Sequence, residues 1–171
     1  MPAMATPEAE SKRFRDVIGR FATGVTVITL CDDDQPVGIT ANAVSSLSLD
    51  PLLILFCVDK GASAHDAIAS AEGFAINLLA LEQRDVSGFF ATSGRGEDGD
   101  AMGGFSFREG TTGAPLLEGT LGWFDCRPWA RYEGGDHTIV VGEVVDFQLS
   151  QPDGDPLLFF GGGYRELTPA G

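Results

Sequence analysis

The chain of 171 residues has little of what most site chemistries need. It holds 3 cysteines and 2 histidines. Cys31, Cys57 and Cys126 are far apart and form no CxxC pair, so a zinc site is not expected. Each lies in or beside an apolar, strand-like stretch, which is how buried thiols in a reducing cytoplasm read. Basic residues number 11 against 25 acidic ones, for a formal net charge of -14. Nucleic acid and anionic membrane surfaces would be repelled, and neither is an expected partner. The acidity itself reads as solubility. No apolar run approaches the ~20 residues of a membrane helix, and the opening MPAMATPEAESKR carries no apolar core of a signal peptide. A cytoplasmic location is the expectation. Also missing are the Walker P-loop, the GxGxxG fingerprint, the GxSxG elbow and HExxH. Gly161-Gly162-Gly163 lacks the spacing and the following helix for phosphate binding and reads as a turn. No local pattern supports a Ser-His-Asp hydrolase.

What is present fits one domain with a genuine core, since 43% of residues are hydrophobic and mean hydropathy is +0.06. Residues 1–10 are small, polar and acidic and read as a mobile tail, with the domain occupying 11–171. Phe14, Val17, Ile18 and Phe21 fall at i, i+3, i+4 and i+7 of an amphipathic helix. It is expected to stop near Thr23-Gly24, with Gly24 as its cap. Segments 25–31 and 37–41 flank a polar turn and predict a hairpin. Then follow a strand over 52–58, a helix over 64–71, a strand over 74–79 and a helix over 82–91. That helix places Val86, Phe89 and Phe90 on one face. Residues 92–113 turn Gly-, Ser- and acid-rich and predict a long exposed loop, either a lid or partner surface or a tolerated insertion. Segments 121–132 and 138–149 around Glu133-Gly134-Gly135-Asp136 predict a second hairpin. In its second strand Ile139, Val141, Val145, Phe147 and Leu149 share a face. Residues 157–160 give a last strand. Roughly seven strands with inserted helices predict a mainly β protein, a small and mostly antiparallel barrel.

The chain is organised around residues 38–66. Gly38-Ile39-Thr40-Ala41-Asn42 leads into serines and an Asp50-Pro51 turn. The apolar strand at 52–58 then ends on Asp59-Lys60-Gly61-Ala62-Ser63 before a helix. A small-residue loop running into a helix N-terminus is a natural anion site. Lys60 is one of two lysines in the chain. Ser63 reads equally as a helix N-cap, with Asp66 three residues on. Thr40-Ala41-Asn42 reads as a plain strand end or as a place where a flat ligand meets backbone. Gly135-Asp136-His137 reads first as a hairpin turn.

Taken together, four blocks resemble the short-chain NAD(P)H:flavin oxidoreductases with the FMN-binding split-barrel fold, the reductase components of two-component flavin monooxygenases. They are FRDVIGRFATGVTVIT (14–29), GITANAVSSLSLDPLLILFCV (38–58), EGGDHTIVVGEV (133–144) and PLLFFGGGYREL (156–167). The resemblance implies FMN or FAD as flavin, with NADH or NADPH as co-substrate. It places Thr40, Ala41 and Asn42 along the flavin ring and ribityl chain. Cys57, Val58, Lys60, Ser63 and Ala64 would hold the ring edge and phosphate. Phe90 and Tyr164 would lie close by, and Gly135-Asp136-His137 would border the nicotinamide face, with His137 and Asp136 as the catalytic candidates. It further implies a homodimer and an oxygenase partner. Two departures stand out: Gly161-Gly162-Gly163 replaces a segment that usually carries arginine, and Ala43 stands where serine is common. The implied activity is flavin reduction; the alternative is a flavin-binding protein that stores or relays electrons without nicotinamide turnover. Few arginines are available for a 2′-phosphate, which favours NADH.

Overall fold

The computed structural model describes residues 6–33, 35–92 and 100–168. Helix α1 spans Pro7–Ile18, so Pro7 to Glu10 belong to it rather than to a tail, and residues 1–5 lie outside the described residues. The Thr6 hydroxyl accepts the Ala9 N–H, proline sits in the first turn, and Glu8 and Glu10 face the positive helix end. The helix stops at Gly19, not at Gly24. Its apolar face does not enter the core, and none of its residues is buried.

Strand β1 (Thr23–Gly24) precedes β2 (Thr26–Asp32) and β3 (Gln35–Ala41), which form the first expected hairpin. Strand β4 (Val44–Leu49) was not anticipated; its serines give it little intrinsic strand preference, and pairing with β5 (Leu52–Asp59) supplies the order. The Asp50-Pro51 turn between them is cis. Helix α2 (His65–Ser70), β6 (Phe74–Leu78) and α3 (Arg84–Ala91) follow as expected within a residue or two.

The stretch read as an exposed loop is only partly so. Residues 93–99 lie outside the described residues, but β7 (Phe107–Glu109) and β8 (Pro115–Leu117) form a short hairpin beyond them. Met102 is buried in the core beneath α3. Buried polar groups dock β8 on the sheet: the Thr29 hydroxyl donates to the Pro115 carbonyl, and the Leu117 N–H donates to Asn77 Oδ1 at 2.8 Å.

Strands β9 (Gly122–Gly134) and β10 (His137–Leu149) are joined by the two-residue turn Gly135-Asp136. Gly135 has φ +77°, a left-handed conformation that glycine adopts without steric cost. The single apolar face expected for β10 is broken. Register shifts fall between Val141 and Gly142 and between Val144 and Asp146. Val140 and Val141, ahead of both shifts, are each buried, whereas Phe147 and Leu149, beyond them, are exposed. Strands β11 (Leu158–Phe160) and β12 (Gly163–Arg165) close the chain, joined by the turn through Gly161 and Gly162.

One antiparallel sheet has the order β3-β2-β6-β9-β10-β5-β4, and a small sheet runs β1-β11-β12. Strands β3 and β4 lie at opposite edges of the large sheet, yet only Asn42 and Ala43 separate them in sequence. The sheet must therefore curl until its edges approach, and the chain itself bridges the gap. A hydrogen bond from the Cys57 N–H to the Ala43 carbonyl (3.0 Å) fastens that bridge. The result is a mainly β barrel, split beside residues 40–43. Inside it pack Ile28, Leu30, Phe56, Phe74, Ile76 and Val140, with Ile68 of α2 at one end. Phe56 and Phe74 meet edge to face at 5.3 Å. Burying a side chain of this size stabilises the fold by roughly 1.5–3 kcal/mol. No helix among the described residues is long and apolar enough to cross a membrane.

Candidate active site

The split in the barrel opens two adjoining cavities. The smaller, about 180 Å³, is bounded by Thr40, Ala41, Asn42, Cys57, Val58 and His137 among others. The larger, about 340 Å³, shares Thr40 and Asn42 and extends to Ser63, Phe90, Tyr164 and Ser87. Nine of the twelve candidate residues from the sequence thus meet around one cleft, although they come from five separate segments.

Each is held by its element. Thr26 Oγ1 donates to the Ala41 carbonyl at 2.7 Å, fixing the end of β3 against β2. Thr40 Oγ1 donates to the Ser87 carbonyl on α3 at 2.7 Å, and Asn42 Nδ2 donates to Thr23 Oγ1 at 3.2 Å. Phe90 forms a wall rather than an exposed contact, since it is buried to 1%. A Cβ on Gly38 would stand 2.5 Å from its ring, so glycine is what lets α3 lie flat on β3. The Tyr164 hydroxyl lies 2.7 Å from Ser87 Oγ across the larger cavity, with its ring edge-on to Phe159.

Ser63 does not cap α2. The cap position is Ala64, without a side-chain bond. The His65 N–H donates to the Ala62 carbonyl at 3.0 Å and is spent on that turn. The Ser63 hydroxyl and the Ser63 and Ala64 N–H groups take no protein partner among the described residues. A small set of unspent donors at the cavity wall fits a phosphate, and the small residues 41–43 at the sheet edge fit a flat ring system. The residues present therefore suit a phosphorylated flavin.

Lys60 pairs with the β9–β10 hairpin and is not among the residues lining either cavity. Its Nζ is 2.5 Å from Glu133 Oε2 and 2.9 Å from the Gly135 carbonyl, on the β9–β10 turn. The hydrogen bond and charge of Lys60 hold the Glu133 carboxyl below the usual range. His137 opens β10 opposite Asp59 of β5. Its Nδ1 lies 2.8 Å from Asp136 Oδ1, and that hydrogen bond lowers the Asp136 carboxyl. With Nδ1–H donating to the carboxylate, Nε2 is the nitrogen left to face a ligand. Ser87, Phe159 and Glu133 were not singled out from the sequence. Their roles are contacts made across distances such as the 77 residues between Ser87 and Tyr164, and no local pattern announces them. Cys126 is buried, and burial plus nearby Asp125 push its thiol up to about 12, whereas Cys31 is exposed rather than buried.

Beside the cleft runs a broader apolar groove of about 880 Å³, lined by Phe14, Ile18 and Phe21 on one side and by Ala43, Cys57 and His137 on the other.

Residues 18–168 match the flavin reductase like domain family. The FMN reductase (NADH) SmoA of Agrobacterium fabrum is 41% identical over 92% of this chain and 87% of its own length. The flavin-dependent monooxygenase reductase subunit HsaB of Mycobacterium tuberculosis is 36% identical over 95% of this chain and 85% of its own. Among solved structures, the Streptomyces globisporus NADH:FAD oxidoreductase SgcE6 in complex with NAD and FAD fragments superposes with a TM-score of 0.87. It is 35% identical and covers 98% of both chains. BorF, the flavin reductase component of a bacterial two-component tryptophan halogenase, gives 0.85 at 37% identity over 94% of this chain and 99% of that one.

Proposed function

The chain belongs to the flavin reductase like domain family, and from that premise we propose that it transfers a hydride from reduced nicotinamide to FMN or FAD and supplies the reduced flavin to a partner monooxygenase. The observation that carries this reading is the shared cleft at the split, where Thr40, Ala41, Asn42, Cys57, Val58 and His137 line one cavity. When bound, the flavin supplies the redox chemistry, accepting the hydride at N5 as the nicotinamide is oxidised. The protein's own work is placement. Thr40, Ala41 and Asn42 carry the ring and ribityl chain along the sheet edge, and Cys57 and Val58 border the ring. Ser63 and Ala64 hold the phosphate through donors that no protein group among the described residues uses. Phe90 and the Ser87–Tyr164 pair wall the larger cavity. His137, steadied by Asp136, orients the nicotinamide through Nε2, so that both rings meet in a reacting geometry. No nucleophile is required.

NADH is the expected donor, since basic groups for a 2′-phosphate are few. The apolar face of α1 and the groove beside it are covered by a second copy of the chain, which makes the protein a homodimer with α1 near each cleft. Reduced flavin reaches the oxygenase by diffusion or transient contact. The reading places the reaction in the cytoplasm, where thiols such as these stay reduced. The test is NADH consumption, followed at the nicotinamide band, with free FMN or FAD added. Flavin-dependent turnover is expected. Flavin binding without NADH turnover would favour the alternative, an electron store or relay.

A further inference from the structure

We infer that Lys60 is a positioning residue for His137, a clamp that fixes the β9–β10 turn at the nicotinamide side of the cleft, and not a ligand of the flavin phosphate. The inference rests on the reading that His137 orients the nicotinamide. Lys60 acts where β9 ends and the chain turns: Glu133 and Gly134 pair with Thr138 and His137, and Gly135, in the left-handed region, opens the two-residue turn, with glycine the least restrained residue type. His137 follows directly, so any sway of the turn is passed to its ring.

Lys60 meets three of the four residues from Glu133 to Asp136. Its ammonium binds the Glu133 carboxylate and the Gly135 carbonyl, and its own N–H donates to the Asp136 carbonyl at 2.9 Å. A second strap comes from the same loop, where His65 Nε2 lies 3.0 Å from Thr138 Oγ1, the residue after His137. The loop 60–65 thus grips the start of β10 from both ends, while Ser63 between the straps lines the larger cavity. The ammonium already has two partners on this hairpin, a carboxylate and a carbonyl. Because Glu133 is 83% exposed, solvent screens that ion pair, and the hold on the hairpin comes from the contacts acting together.

Three variants test the clamp, each measured for KM and kcat with NADH and for affinity toward FMN and riboflavin. Lys60→Met keeps the stem and removes the charge, Lys60→Arg keeps a cation with several donors, and Glu133→Gln removes one partner without touching the lysine. In Lys60→Met the KM for NADH is expected to rise about 5- to 10-fold while kcat changes by less than about 2-fold. The ratio of FMN to riboflavin affinity should stay as in the wild type. Lys60→Arg should recover most of the loss, and Glu133→Gln should show a weaker form of it. If Lys60→Met does not fold, Glu133→Gln carries the same test. In a His137→Ala background Lys60→Met should add almost nothing, because both act through one ring. Weakened FMN binding with unchanged riboflavin binding would make Lys60 a phosphate ligand and overturn the clamp. So would additive effects of the two substitutions, or a wild-type KM in the variants. His137→Ala with a wild-type KM would instead sink the nicotinamide reading on which the clamp rests, and the two failures are thereby told apart.

Discussion

At the scale of the residue, the proposed function divides the cleft's labour between a histidine and a serine. His137 has one ring nitrogen committed to Asp136 and borders both the smaller cavity and the apolar groove. A positioning role predicts that His137→Ala raises the KM for NADH and leaves flavin affinity nearly unchanged. His137→Asn, which retains a donor and an acceptor, should keep much of the wild-type rate. General-acid catalysis would instead lower kcat in both variants by roughly 10²–10⁴-fold. Steady-state kinetics with NADH varied at saturating flavin separates the two. Ser63 carries the phosphate prediction. Ser63→Ala should weaken FMN binding by about 10- to 150-fold, the value of one charge-assisted hydrogen bond, and leave riboflavin binding alone. Because Ser63 caps nothing, its thermal stability should match the wild type, so the loss would be read at the ligand. Equal losses for FMN and riboflavin would reject the assignment. Their place at the cleft was legible in the sequence because they sit in short blocks whose order resembles a known family. Lys60 shows the limit of that approach. Its nearness to Ser63 in sequence suggested a shared ligand, but its partner Glu133 is 73 residues away and only the folded turn brings them together.

The elements read well where turn chemistry speaks and poorly where pairing decides. Gly135-Asp136 marks a tight hairpin whatever surrounds it, and β9 and β10 lie within two residues of their expected bounds. Strand β4 was silent because an edge strand of serines owes its order to β5. The split barrel itself could be inferred only through the family resemblance. Composition alone allows any curled antiparallel sheet. Helix α1 is amphipathic as expected, but its apolar face covers no part of the core. Phe14, Val17 and Phe21 are 70%, 69% and 71% exposed. Large apolar side chains in that number on one short segment call for a cover, and a second copy is the cover proposed. Replacing Phe14 and Phe21 together by serine removes roughly 3–6 kcal/mol of burial at such an interface, a loss of about 10²–10⁴-fold in association. Sedimentation at micromolar concentration should show a dimer for the wild type, burying on the order of 1,200 Å² or more, and a monomer for the double variant. A wild-type monomer with full activity would reject the dimer.

At the scale of the whole molecule, an acidic protein handles anionic ligands. With a net charge of -14 it gains nothing from long-range attraction to NADH or FMN. Binding must come from local donors and from the two cavities at the split, so the proposed reaction depends on placement rather than on charge. The most direct measurement is rapid anaerobic mixing of the flavin-loaded protein with NADH, following the loss of oxidised-flavin absorbance. The reduction rate is expected to saturate as NADH is raised, because nicotinamide must first dock against the His137 hairpin. In His137→Ala the half-saturating concentration should rise while the limiting rate is largely kept. A bound flavin that stays oxidised, or one reduced no faster than free flavin in the same buffer, would contradict the proposed reaction.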